Sequence, residues 1–282
     1  MKNSFLALCL SVGITLVNAN AKSETVIHRT IDRVPSFDPI QSETIGASRC
    51  VALVYETLLE YDYLARPYRL RGCVAEGLPD ISPDGLTLTF HLRQGIQFGP
   101  DPCLGVDAAT GTPRTRELVA ADVVYSLKRL ADSKNTSPGF WIIENKIKGI
   151  DDFRTASKSK TPTDYSLEVA GLKALDAHTV QIVLTTPSPD FLWVLAMTYA
   201  SIVPHEAVEK YGRDFESIEV GTGAYRLVTW KRNYRFEFER RLGRDDARDE
   251  TPLLADSAGA VPIKRVIYLI MDDASTRWLS FL

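Results

Sequence analysis

Three observations predict an α/β fold. Leu86, Leu88, Phe90 and Leu92 alternate strictly with Thr87, Thr89 and His91, the period of a strand with one buried face. Ala47, Val51, Val54 and Leu58 recur at steps of three and four residues, which puts them on one face of a helix. The run 266–271 is continuously apolar, the mark of a strand buried on both faces.

The elements follow in order. A β-like run over 25–31 leads into Val34-Pro35-Ser36-Phe37-Asp38-Pro39, where two prolines forbid regular structure. The helical spacing predicts a helix over 44–60, followed by a loop-rich stretch containing Pro67, Gly72, Gly77 and Pro79. Ser82-Pro83-Asp84-Gly85 is a turn, since proline presets its second position and glycine tolerates the exit. It feeds the alternating strand. The stretch 99–116 reads as a long loop. Asp122 is placed to cap a helix running to Asp132, with Val123, Leu127 and Leu130 inward, and 133–139 breaks it. Val180, Ile182 and Leu184 alternate as a second strand. Asp190 is expected to cap a short helix over 191–197. Ile202-Val203 reads as a brief strand and 205–211 as a short helix. The runs 225–230 and 234–240 read as an antiparallel pair, and 243–259 as a charged loop. The sequence closes on an apolar pattern, Trp278 to Leu282, that resembles the opening turns of a helix. Domain ends tend to be exposed and loosely ordered, so the expectation is a fragment of a longer protein.

The first 21 residues read as an export signal. Lys2 precedes an apolar run over 5–17, and Ala19-Asn20-Ala21 is a small-x-small cleavage site. The run is too short to span a bilayer, which takes about 20 apolar residues. Cys9 follows Leu8 and lies too early for lipid attachment. A net charge of −3 without a basic cluster argues against a nucleic-acid partner. After cleavage Cys50, Cys73 and Cys103 remain. Cys50 falls on the apolar helix face as a buried thiol, while Cys73 and Cys103 lie in loops where pairing is open.

A search for chemistry returns no catalytic set. His28, His91, His178 and His205 show no metal-ligand spacing. G-x-S-x-G does not occur. Ser157 and Lys160 match S-x-x-K, yet the polar, lysine-rich surroundings do not fit a serine that should open an apolar helix. Gly221-Thr222-Gly223 precedes a strand, so it reads as a tight turn rather than a phosphate cradle. The pairs Asp151-Asp152, Asp245-Asp246 and Asp272-Asp273 read as solvated turns.

Ordered segments resemble one family, the family 5 extracellular solute-binding proteins, which includes the oligopeptide, dipeptide and nickel receptors of ABC importers. Ser36-Phe37-Asp38-Pro39 resembles its "S-x-D-P" and 55–61 its "Y-E-x-L-x-x-Y". The stretch from Ser82 to Phe98 is similar to "S-x-D-G-x-x-x-T-F-x-L-R-x-G-x-x-F", and 121–129 to "A-x-D-V-x-x-S-x-x-R". Residues 220–225 resemble "x-G-T-G-P-Y", with Ala224 in place of proline. Five such segments occur in the family's order across most of the chain.

The resemblance implies a periplasmic binding protein-like class II fold, of which this sequence holds the first lobe and its inserted small α/β domain, the second lobe missing. It implies lobe I from 22–48 and 176–270, the inserted domain over 49–175, and the start of a truncated lobe II over 271–282. It further implies a periplasmic, non-enzymatic receptor that captures a small-molecule or peptide ligand and passes it to ABC importer permease subunits, with no cofactor and no metal. Ligand contacts carried over are Glu43, Thr44 and Ile45 after the D-P motif, Phe140 and Trp141 in the inserted domain, and Tyr199 near the hinge. Trp141 reads equally well as core. The alternatives are a secreted serine hydrolase using Ser157 and Lys160, or a sensor or chaperone of the same fold.

Overall fold

The computed structural model describes residues 26–159, 161–241 and 263–279, and here the strands gather into two four-stranded sheets and one two-stranded ribbon. The first sheet joins β1 (Val26–Ile31), β8 (Tyr225–Lys231), β9 (Arg235–Arg240) and β10 (Arg265–Ile270) in the order β1-β10-β9-β8. β1 and β10 run parallel, Val26 opposite Arg265 and Ile31 opposite Ile270. β9 is antiparallel to both of its neighbours. The second sheet orders β4 (Asp80–Ile81), β5 (Thr87–His91), β7 (Thr179–Val183) and β6 (Leu172–Ala174). The ribbon pairs β2 (Leu59–Tyr61) with β3 (Leu70–Gly72).

Alternation decides the cores. Leu88, Phe90, Val180 and Ile182 turn inward from β5 and β7. They meet α2 (Ala120–Ala131), whose Val123, Leu127 and Leu130 are buried. In the first sheet Phe236 and Phe238 of β9 stack inward with Trp230, and the Phe37 ring inserts among all three, its centroid 5.3 to 5.8 Å from theirs. Phe37 thus plugs the early S-x-D-P segment into this sheet. Its neighbour Asp38 makes a two-point ion pair with Arg129 of α2 at 2.6 and 2.5 Å, with both residues buried.

Several expectations are corrected by tertiary contacts. The helix predicted over 44–60 is α1 (Ile45–Val54) and stops there. Gly223 N–H donates to the Val54 carbonyl at 2.7 Å, and Gly221 and Gly223 lie so close to Val54 that a Cβ on either would collide with it. The glycine turn docks on the helix end, and Leu59–Tyr61 becomes a strand. Asp122 is the third residue of α2 rather than its cap. Its carboxylate accepts from Val119 N–H at 2.9 Å and from Arg116. The helix at 191 runs only over Phe191–Val194 (α4), and Asp190 makes no side-chain cap. Ile202 and Val203 are buried but form no strand. Asp151 and Asp152 lie in the first turn of α3 (Ile150–Ser159), where acidic side chains complement the helix dipole. Asp273 accepts from Thr276 N–H at the start of α6 (Ala274–Leu279).

One expected domain boundary falls inside an element and another parts two paired strands. The division at 48/49 cuts α1, and that at 175/176 separates β6 from β7, which pair in one sheet. The export signal, the charged loop 243–259, Asp245-Asp246, Lys160 and residues 280–282 lie outside the described residues. Cys50, Cys73 and Cys103 all carry thiols, so the pairing left open for Cys73 and Cys103 is not made.

Candidate ligand-binding wall

The wall starts where β1 ends. Thr44 caps α1 by accepting from Ala47 N–H at 3.0 Å, and its hydroxyl donates to the Arg33 carbonyl at 3.3 Å. Gly46 sits against the Asp32 backbone, where a Cβ would come within 2.8 Å of the carbonyl oxygen. The start of α1 is therefore pinned at the carboxyl end of β1, the side on which open α/β sheets bind ligands. Glu43 is exposed there, and the Ile45 side chain is 66% exposed. An isoleucine that exposed beside a capped helix start is not serving the core.

Two further segments are brought to the same place. The hydroxyls of Ser42 and Thr198 are 2.9 Å apart, and Ser48 joins them at 3.2 Å from Thr198. This cluster fixes the segment carrying Tyr199 against the turn carrying Glu43. The Tyr199 ring lies on Gly139, closely enough that any side chain at 139 would clash. Partial burial, and then the nearby Glu43 charge, raise the Tyr199 phenol above its usual range. The 135–141 segment is tied in by Gln41 Nε2, which donates to the Asn135 carbonyl at 2.7 Å, and by Ser137, which donates to the Ile40 carbonyl.

These contacts thus bring the segments that carry Glu43, Thr44, Ile45 and Tyr199 together, with the 135–141 segment tied in beside them. Trp141 is 51% exposed, with Lys146 Nζ 5.6 Å from its ring, so the core reading of Trp141 does not hold. Phe140 departs from the expectation. It is buried, with the Arg154 guanidinium of α3 4.0 Å over its ring. The sequence carried no signal for Gly139 or for the Ser42, Ser48 and Thr198 cluster. Their roles exist only once segments 60 to 156 residues apart meet.

What this wall can do chemically is recognise. It offers apolar surface from Ile45 and Trp141, one carboxylate from Glu43 and one phenol from Tyr199. The segments 42–48, 139–141 and 198–199 contain neither histidine nor cysteine. Elsewhere, Ser157 is buried, and its hydroxyl donates to the Arg154 carbonyl and accepts from Ser133 N–H. It is no exposed nucleophile. Asp122, His205 and Glu206 gather within 4.8 Å. The Arg116 guanidinium bonds both of those carboxylates at 2.6 to 2.8 Å, so a cation already satisfies them. Among the described residues no helix is long and apolar enough to cross a membrane.

The chain is similar to known proteins in sequence and in fold. Residues 69–282 match the model of "Bacterial extracellular solute-binding proteins, family 5 Middle". The chain is 33% identical over 259 residues to the periplasmic oligopeptide-binding protein OppA of Salmonella typhimurium, covering 91% of this chain and 41% of that protein. It is 31% identical over 243 residues to OppA of Escherichia coli, covering 84% and 39%. Among solved structures, Haemophilus influenzae OppA in complex with RPPGFSPFR superposes with a TM-score of 0.71 at 22% identity, over 92% of this chain and 44% of that one. The unliganded open form of MppA, a periplasmic murein tripeptide binding protein, gives 0.68 at 24% identity, covering 92% and 44%. The chain therefore spans about two-fifths of the length of the curated relatives it matches.

Proposed function

This chain belongs to the bacterial extracellular solute-binding proteins of family 5, a family of receptors rather than enzymes, and from that membership we propose that it forms one wall of a peptide-binding cleft. The peptide is held against Glu43, Thr44, Ile45, Trp141 and Tyr199, and a second lobe closes over it by hinge motion. The loaded receptor then docks on the permease subunits of an ABC importer, and no bond is made or broken. Residues 1–21 direct export, which places the receptor in the periplasm. The observation that carries this reading is the convergence of three distant segments at the carboxyl end of β1, presenting exposed apolar groups beside one carboxylate. The curated relatives named OppA support peptide as the cargo.

The test is thermal unfolding in the presence of a library of short peptides. A ligand held only by the native state at a hundred times its Kd stabilises by about 2.7 kcal/mol, so cognate peptides should raise the midpoint by several degrees. Trp141→Ala should weaken that binding roughly tenfold, as loss of a large aromatic anchor does. A library in which no peptide raises the midpoint would remove the peptide assignment.

A further inference from the structure

The ribbon β2-β3 carries a surface that peptide capture does not use. Tyr61 pairs with Leu70 at its end, and an eight-residue tip, 62–69, closes the hairpin. In a solvated loop the polar groups face water. Here backbone N–H groups and the Asp62 carboxylate bond within the loop, while the Arg66 and Arg69 side chains stay exposed. Asp62 N–H donates to the Arg69 carbonyl, and the Asp62 carboxylate accepts from Leu64 N–H, Ala65 N–H and Arg69 Nε at 3.0 to 3.3 Å. Arg66 donates to the carbonyls of Tyr63 and Ala65 at 3.1 and 2.7 Å, and its guanidinium lies 4.4 Å over the Tyr68 ring. The apolar side chains point out as well. Tyr63, Leu64 and Tyr68 are 67%, 68% and 67% exposed, and Tyr61 is 48% exposed. Tyr61 also anchors the ribbon to α4, its ring 5.7 Å from Trp193 and its hydroxyl donating to the Trp193 carbonyl. The tip is thus tied down by its own hydrogen bonds while showing water its aromatic side chains.

We propose that this tip is an interfacial contact that seats on an anionic lipid surface. Tyrosine and leucine place apolar bodies at the acyl boundary and leave the phenolic ends among headgroups. Among the described residues Arg66 meets no carboxylate in its hydrogen bonds, being held by backbone carbonyls and a ring, so its charge is available to a lipid phosphate. Asp62 is committed inside the loop, which leaves the tip cationic in a chain of net charge −3. Area favours lipid over a protein partner. Three tyrosines and a leucine at these exposures offer roughly 400–500 Å², short of the ~800 Å² per partner of a standard protein interface. Interfacial anchoring works with a few such side chains and strengthens with anionic lipid.

The experiment is co-sedimentation of this chain with large unilamellar vesicles, of phosphatidylglycerol with phosphatidylethanolamine or of phosphatidylcholine alone. Binding should favour the anionic vesicles by about fivefold or more, the contribution of one cation near such a surface, and should fall steeply as salt shortens the screening length. Arg66→Gln should remove most of the preference for anionic vesicles. A triple variant, Tyr63→Ser with Leu64→Ser and Tyr68→Ser, should lose binding to both vesicle types while its unfolding midpoint stays within a few degrees of the parent. Equal binding by parent and triple variant would overturn the proposal, as would indifference to lipid charge. Concentration-dependent self-association that the triple variant abolishes, without vesicle binding, would overturn it in favour of a contact between copies.

Discussion

Replacing Asp38 with asparagine should cost this fold about 3–5 kcal/mol, the penalty for stripping one partner from a buried ion pair. The figure follows from the site. Asp38 and Arg129 are 8% and 5% exposed, and both guanidinium nitrogens of the fork are spent on the two carboxylate oxygens. The remaining Nε has no hydrogen-bond partner, so the guanidinium holds no reserve contact. Its other neighbour is the Phe215 ring, 5.2 Å away, which cannot replace a carboxylate. Asparagine keeps the shape and can still accept from Ile40 N–H, as Asp38 does at 3.3 Å. The variant therefore removes the charge together with one of the two acceptors that face the guanidinium. Urea unfolding followed by circular dichroism is the assay. At an m-value of about 3 kcal/mol/M the midpoint should fall by roughly 1–1.7 M, and the thermal midpoint by at least 6 °C, at about 2–4 °C per kcal/mol for a chain of this size. The double variant Asp38→Asn with Arg129→Met should lose clearly less than the sum of the single losses, because it leaves no uncompensated buried charge. An Asp38→Asn loss below about 1 kcal/mol, or a strictly additive double variant, would show that the pair is not the clamp between the S-x-D-P segment and α2.

Other consequences are as direct. Gly221→Ala should destabilise by more than about 3 kcal/mol or abolish folding, because its Cβ would occupy the space of the Val54 carbonyl; a midpoint near the parent's would contradict that packing. Thr44→Ala should cost about 1 kcal/mol through loss of the α1 cap, read as a small fall in urea midpoint. Burial pushes the Glu219 carboxyl up to about 7 against the opposing charge of Arg241. A raised acid prefers its protonated form in the fold, so its contribution is full below pH 4.5 and is lost as pH climbs to about 7. The parent should then lose on the order of 3 kcal/mol across that window relative to Glu219→Gln; parallel stability profiles for the two would refute it.

The amino-acid sequence by itself determined what depends on local period and turn chemistry. Strands over Thr87–His91 and Arg235–Arg240 follow from alternation, and the Gly85 turn, with φ of 71°, from a residue able to adopt it. The inward faces of α1 and α2 follow from helical spacing. Ordered motif segments carried the family, and with it the expectation that Glu43, Thr44 and Ile45, beside the S-x-D-P segment, line the proposed wall. What only the tertiary structure decided depends on residues far apart in the chain. α1 ends at Val54 because glycines near 222 take its last carbonyl, although its apolar spacing continues to Leu58. Asp122 serves Arg116 and Val119 rather than acting as a cap. Phe140 and Trp141 are adjacent and chemically alike, yet one packs under Arg154 and the other faces out. No local pattern separates them, since neighbouring side chains in a single helical turn point in different directions and only the packed domain says which direction is inside.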